Sequence, residues 1–169
     1  MKKNLTLTGM MGVGKSTIGK AISKQLSMQF IDVDRIIEKK LKLSVKKIFE
    51  KEGEAFFRDF EEKITLDEVK KTKRVISLGG GGFMNAKIRD LVVLNTRSFW
   101  LYLNLNLLEK RLVNSKKRPL LVSKNIKLDL EKIYKERKNI YSLANHKVDC
   151  DNLTTNTITK KIITLYEND

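Results

Sequence analysis

The sequence predicts a three-layer α/β fold, a five-stranded parallel sheet covered by helices, and three observations point to it. Short apolar runs alternate with longer segments of helical periodicity. The early strand runs lead into glycines or paired aspartates, as expected where ligands bind at the carboxyl edge of a parallel sheet. At 169 residues, 41% hydrophobic and 33% charged, the chain suits one domain, 1–169, with a single core.

The elements follow in order. Asn4 to Thr8 reads as the first strand and ends at Gly9. The helix from about Lys15 to Ser27 carries Ile18, Ala21, Ile22 and Leu26 on one apolar face. Gln29 to Asp32 is the second strand. Ser44 caps a short helix with Val45, Ile48 and Phe49 inward, closed by Gly53, and another helix runs to about Val69. Arg74 to Leu78 is an apolar strand entering Gly79-Gly80-Gly81-Gly82, and Ser98 to Leu103 is the fourth strand. Asn104 caps a helix to about Val113. The polar stretch Asn114 to Lys124, with the only proline, Pro119, reads as a mobile loop. Leu128 to Ala144 is an amphipathic helix, Lys147 to Cys150 the last strand, and Thr157 to Tyr166 the closing helix.

Composition excludes several classes. No run approaches the roughly 18 apolar residues of a membrane span, and the start of the chain lacks a secretory apolar region, so a cytoplasmic protein without a membrane partner is expected. The single cysteine, Cys150, builds no disulfide or metal framework. The net charge of +15 attracts anions, but lysines spread along the whole chain without an aromatic-and-basic platform read as solvated faces. No nucleic-acid partner is expected.

Gly9-Met10-Met11-Gly12-Val13-Gly14-Lys15-Ser16 fits G-x-x-x-x-G-K-[ST] between a strand and a helix. Glycines let the backbone curl so that successive N–H groups face phosphate oxygens, and the helix N-terminus adds a favourable dipole. Lys15 then reaches the β- and γ-phosphates of a nucleoside triphosphate, and Ser16 ligates Mg²⁺.

Asp32 and Asp34, two apart at a strand end, are expected on one face at its ligand-binding edge. One suits the water shell of Mg²⁺, the other the attacking hydroxyl. Alternatively Asp34 is the N-cap of a helix over Arg35 to Lys42. Arginine is scarce, with eight in the chain, so its placement is informative. Arg58, with Glu61 at i+3, is either a substrate-binding cation or a surface ion pair. Arg137 falls on an otherwise apolar stripe with Leu130, Tyr134 and Tyr141, and needs a buried acid or an anionic ligand as partner. Arg118, beside Pro119, either closes onto the transferring phosphate or is an exposed loop charge. The four glycines from Gly79 mean close approach by a small substrate, or a tight turn.

These residues together resemble shikimate kinase, a family of the nucleoside-monophosphate-kinase-like P-loop group. The resemblance rests on Gly9 to Ser16, Asp32-Val33-Asp34, Gly53-Glu54 with Phe57-Arg58 and Glu61, the glycine run, Arg118-Pro119-Leu120-Leu121, and Arg137 with Tyr141. It implies a P-loop kinase fold with strand order 2-3-1-4-5, substrate-binding helices at about 33–61 and a mobile lid at about 112–124. It implies transfer of the ATP γ-phosphoryl to the 3-hydroxyl of shikimate, with Mg²⁺ as cofactor, in a chain expected to be monomeric.

By the same resemblance, Asp34, Lys15 and Arg118 are catalytic. ATP is bound by Gly12, Val13, Gly14, Lys15, Ser16, Thr17, Arg111 and Arg118, and the metal by Ser16 and Asp32. Shikimate is bound by Asp34, Arg58, Gly79, Gly80, Gly81 and Arg137. Two departures fall near Arg137: Asn139 where the family commonly has proline, and Asn145 where it has aspartate. A gluconate or nucleoside-monophosphate kinase is the rival within the class, and a basic nucleotide-binding regulatory module the rival outside it.

Overall fold

A central strand that is buried along its whole length organises the molecule. In the computed structural model, which describes residues 3–113 and 125–168, this is β1 (Asn4–Thr8). It pairs in parallel with β3 (Arg74–Ser77) on one side and β4 (Thr96–Tyr102) on the other. The outer strands β2 (Gln29–Asp32) and β5 (His146–Asp149) complete a five-stranded parallel sheet of order β2-β3-β1-β4-β5. A strand buried on both faces needs continuous apolar or small side chains. Leu5 and Leu7 supply them, with Thr6 and Thr8 buried between.

Seven α-helices among the described residues make the crossovers and the outer layers of this αβα fold. α1 (Lys15–Gln25) lies against β1, β2 and β3 and is covered in turn by α7 (Thr155–Asn168), whose Tyr166 hydroxyl donates to the Lys3 carbonyl at 2.6 Å. α2 (Val33–Leu41) begins directly after β2. α3 (Val45–Lys70) is capped by Ser44, as expected, and breaks at Gly53, whose φ of 84° and ψ of 168° lie outside helical space. The short helix closed by Gly53 and the second helix beyond it are thus as expected, the two meeting at a kink. Asn4 ties the end of α3 to the sheet, donating to the Val69 and Lys71 carbonyls and accepting from the Arg74 N–H.

One helix was not anticipated. α4 (Ala86–Asn95), capped by Asn85, follows a short 3-10 turn (Gly82–Met84) and leads into β4, which starts two residues earlier than expected. Beyond β4 come α5 (Leu105–Leu112), capped by Asn104, and α6 (Ile126–Tyr141), capped by Asn125. Of the expected lid at about 112–124, the segment 114–124 with Arg118 and Pro119 lies outside the described residues. No helix among the described residues is long and apolar enough to cross a membrane.

Candidate active site

The strand order puts the loops after β1, β2 and β3 side by side at the carboxyl edge of the sheet. The first is the glycine-rich loop between β1 and α1. Three of its glycines adopt positive φ: Gly9 at 134°, Gly12 at 79° and Gly14 at 105°. A side chain at Gly9 would collide with the Leu101 carbonyl of β4, so the sharp exit from β1 requires glycine on two counts. Gly14 is the N-cap of α1 without a side-chain cap, and no acidic residue occupies the first turn. The free N–H groups and dipole of this end are therefore open to an anion.

Lys15 is buried in the loop, its Nζ donating to the carbonyls of Gly9 at 2.8 Å and Met10 at 3.0 Å. Ser16 Oγ donates to Asp32 Oδ2 at 2.6 Å. Arg111, on α5, braces the loop from the other side through the Val13 carbonyl at 3.2 Å. Gly12, Gly14, Lys15, Ser16 and the exposed Thr17 line a cavity over this loop, the phosphate cavity of the sequence reading.

The paired aspartates are arranged differently from the expected strand alternation. β2 ends at Asp32, which is the N-cap of α2 and accepts from the Arg35 N–H, so Asp34 is not the cap but sits inside the first helical turn. A carboxylate there is favoured by the helix dipole. Both aspartates still face the phosphate cavity, brought there by a strand-to-helix corner. Among the described residues no cluster of three or more His, Cys, Asp or Glu could hold a metal alone. The Ser16 hydroxyl with the Asp32 carboxylate is the hard-oxygen pair that suits Mg²⁺, which takes few protein ligands and completes its shell with phosphate and water.

Next to the phosphate cavity lies a second one, between α2, the first half of α3 and the glycine loop after β3. Arg58 reaches it from α3. Its Nη1 donates to Glu61 Oε2 at 2.6 Å and its Nη2 to Glu54 Oε1 at 2.9 Å, with the guanidinium 5.3 Å from the Phe57 ring centre and 5.9 Å from that of Phe49. Arg58 is thus ion-paired, with a buried Glu61 rather than at the surface, and it also lines the cavity. Glu61 is 1% exposed, and its Oε1 is buried without a hydrogen-bond partner among the described residues. Burial pushes its carboxyl above the ordinary glutamate value, and the nearby Arg58 and Arg137 charges pull it back only in part.

Arg137 enters from α6, where Leu130, Ile133 and Tyr141 of the same stripe are buried. Its Nη1 donates to the Gly80 carbonyl at 2.9 Å, a partner not expected from sequence, and its charge acts on the buried Glu61 carboxyl. A carbonyl accepts from the guanidinium without neutralising it, so its charge is felt at the cavity wall, as at Glu61. The glycines form the opposite wall. A Cβ at Gly79 would sit 2.5 Å from both Asp34 Oδ1 and Glu61 Oε1, and one at Gly81 2.5 Å from Arg58 Nη2. These residues are glycine because carboxylates and a guanidinium fill the space a side chain needs.

Sequence reasoning missed the apolar half of this cavity, Met11, Val45, Phe49 and Phe57, and missed Glu54 as a second partner of Arg58. Glu54 was legible, four residues before Arg58 on a helix. Asn145 Oδ1 accepts from the Ser98 N–H at 2.9 Å and the Ser98 hydroxyl at 2.7 Å, an acceptor role that an aspartate would also fill. α6 continues through Asn139, so the missing proline does not break it.

Comparison with known proteins bears on this site as a whole. The family model described as shikimate kinase matches residues 11–167. A shikimate kinase from Sulfurihydrogenibium sp. (strain YO3AOP1) is 41% identical over 165 residues, covering 96% of each chain. The solved structure of shikimate kinase from Acinetobacter baumannii in complex with shikimate is similar with a TM-score of 0.95 at 30% identity, over 99% of this chain and 94% of that one. The shikimate kinase structure from Aquifex aeolicus vf5 follows at 0.86 and 32%, over 97% and 96%.

Proposed function

This chain belongs to the shikimate kinase family, and from that premise we propose that the two adjoining cavities hold ATP and shikimate for transfer of the γ-phosphoryl to the 3-hydroxyl. The observation that carries the reading is the shared wall: Met11, Asp34 and Gly80 line both cavities, so a hydroxyl beside Asp34 in one faces the phosphate space of the other.

In the reaction the hydroxyl oxygen forms a bond to the γ-phosphorus, the bond from that phosphorus to the β,γ-bridging oxygen breaks, and ADP leaves. Asp34 accepts the hydroxyl hydrogen bond and takes up the proton. Lys15 exchanges the Gly9 and Met10 carbonyls for the β- and γ-phosphate oxygens, and the loop amides from Gly12 to Thr17 hold the remaining charge. Ser16 and Asp32 are the residues that would hold Mg²⁺, whose chemistry there would be neutralisation of phosphate charge. Arg58 and Arg137 hold the substrate carboxylate, Gly79 to Gly81 back its ring, and Arg111 braces the nucleotide side; Arg118, the other catalytic candidate, lies outside the described residues. The protein supplies alignment and charge, with no covalent step of its own. We further propose one domain, acting as a monomer in the cytoplasm.

An ATP-consumption assay with shikimate, gluconate and nucleoside monophosphates tests the substrate. Shikimate alone should stimulate turnover, and stimulation only by another acceptor would overturn the reading. Asp34→Asn should lower kcat by about 10²–10⁴-fold while the ATP KM stays near wild type. Turnover close to wild type would remove Asp34 from the mechanism.

A further inference from the structure

We infer that the Tyr141 hydroxyl is a positioning group for phosphoryl transfer: it pins the Gly80 carbonyl that anchors Arg137, and so sets the acceptor loop against the phosphate loop. The inference rests on the kinase reading above and deepens it.

Tyr141 lies one helical turn beyond Arg137 on α6 and is fully buried. Its hydroxyl donates to the Gly80 carbonyl, the same oxygen that accepts Arg137 Nη1. A carbonyl oxygen has two lone pairs, and these two donors occupy both. The peptide so held neighbours the phosphate loop: Met11 and Gly80 line both cavities, and a Cβ added at Gly80 would lie 3.4 Å from the Met11 nitrogen. The hydroxyl also approaches Met10 Sδ at 4.0 Å, and the Met10 carbonyl is one of the two that hold Lys15. From below, the ring stacks on Trp100 of β4 with centroids 6.0 Å apart and planes at 27°.

One oxygen therefore sits where the donor loop, the acceptor loop and the carboxylate-binding arginine meet. Burial keeps the phenol above its usual pKa, with Arg137 opposing, so it remains a donor at working pH. Were Tyr141 only packing, its ring on Trp100 would suffice. The hydroxyl adds a constraint on a peptide that both cavities share. Without it the Gly80 carbonyl keeps, among the described residues, the Arg137 bond, and the peptide that anchors the guanidinium is held by one donor instead of two.

Tyr141→Phe keeps the ring and removes the constraint. The expected result is a roughly tenfold fall in kcat/KM for shikimate, the size of one hydrogen bond lost in the transition state. The ATP KM should stay within about twofold, with a thermal midpoint lowered by about 2–4 °C. In an Arg137→Ala background the same substitution should change kcat/KM by less than about twofold, because the anchored group is already gone. Unchanged kcat/KM for Tyr141→Phe, additive effects in the double variant, or equal rises in both KM values with a large midpoint drop would each overturn the inference. Wild-type turnover, measured alongside, separates the premises. An inactive wild type overturns the shikimate reading and this inference with it, whereas an active wild type with an equally active Tyr141→Phe overturns this inference alone.

Discussion

Gly79→Ala is the substitution for which the structure gives the clearest magnitude. The new Cβ would lie 2.5 Å from Asp34 Oδ1 and from Glu61 Oε1, about 0.9 Å short of ordinary van der Waals contact with each. Glu61 has little room to retreat, because its carboxyl is buried and its other oxygen is held by Arg58 at 2.6 Å. The displacement therefore passes to Asp34 and, through Glu61, to Arg58, the proposed base and one proposed carboxylate ligand. A misplacement of about 1 Å at a reacting group costs on the order of 10²-fold, or about 2.7 kcal/mol of transition-state stabilisation. The assay is kcat/KM for shikimate with the ATP KM and the thermal midpoint measured in parallel. Gly53→Ala is the control: nothing lies within 4 Å of its Cβ position, but φ of 84° and ψ of 168° form a region nearly reserved for glycine. It should cost about 1–3 kcal/mol of stability and leave the activity of the folded fraction nearly intact. A Gly79→Ala enzyme within threefold of wild type, with an unaltered midpoint, would refute the steric argument and the roles built on it.

Two further predictions concern titration. Glu61 has a raised pKa in the folded chain, so the native state binds that proton more tightly than the unfolded state; protonation favours folding as pH falls through the raised value, and ionisation opposes folding as pH rises past it. Protonation also releases Arg58, so shikimate kcat/KM should decline on the acid side with a midpoint above the ordinary glutamate value. Glu61→Gln should abolish that limb, and a variant profile that keeps it would assign the limb elsewhere. Cys150 is buried and burial pushes its thiol up to about 12. It should resist a thiol reagent such as dithionitrobenzoate at pH 8 and react promptly in denaturant; fast labelling of the native protein would contradict this.

The sheet and the donor loop were legible because their signals are local. The spans of β1 and β2 follow from short apolar runs, and the phosphate loop from glycine spacing between a strand and a helix. α4 was not legible for a physical reason: Leu91 to Leu94 is a continuous apolar run that blurs helical periodicity, and Leu94 is 70% exposed. Asp32 and Asp34 were correctly paired, but by the wrong geometry, because whether a chain turns helical at Val33 depends on the Asp32 cap and on packing. The partner of Arg137 is a backbone carbonyl 57 residues away, which no side-chain pattern encodes. Arg58 carried two readings from its neighbours, and only the fold shows that an ion-paired arginine can also face a cavity.

The clasp of α7 over α1, fastened by Tyr166 to the Lys3 carbonyl, imposes a schedule on biosynthesis. The phosphate loop and its helix are made first, yet the cover for that helix is a 14-residue segment made after all five strands. Until α7 has been made, the outer face of α1 therefore stays uncovered.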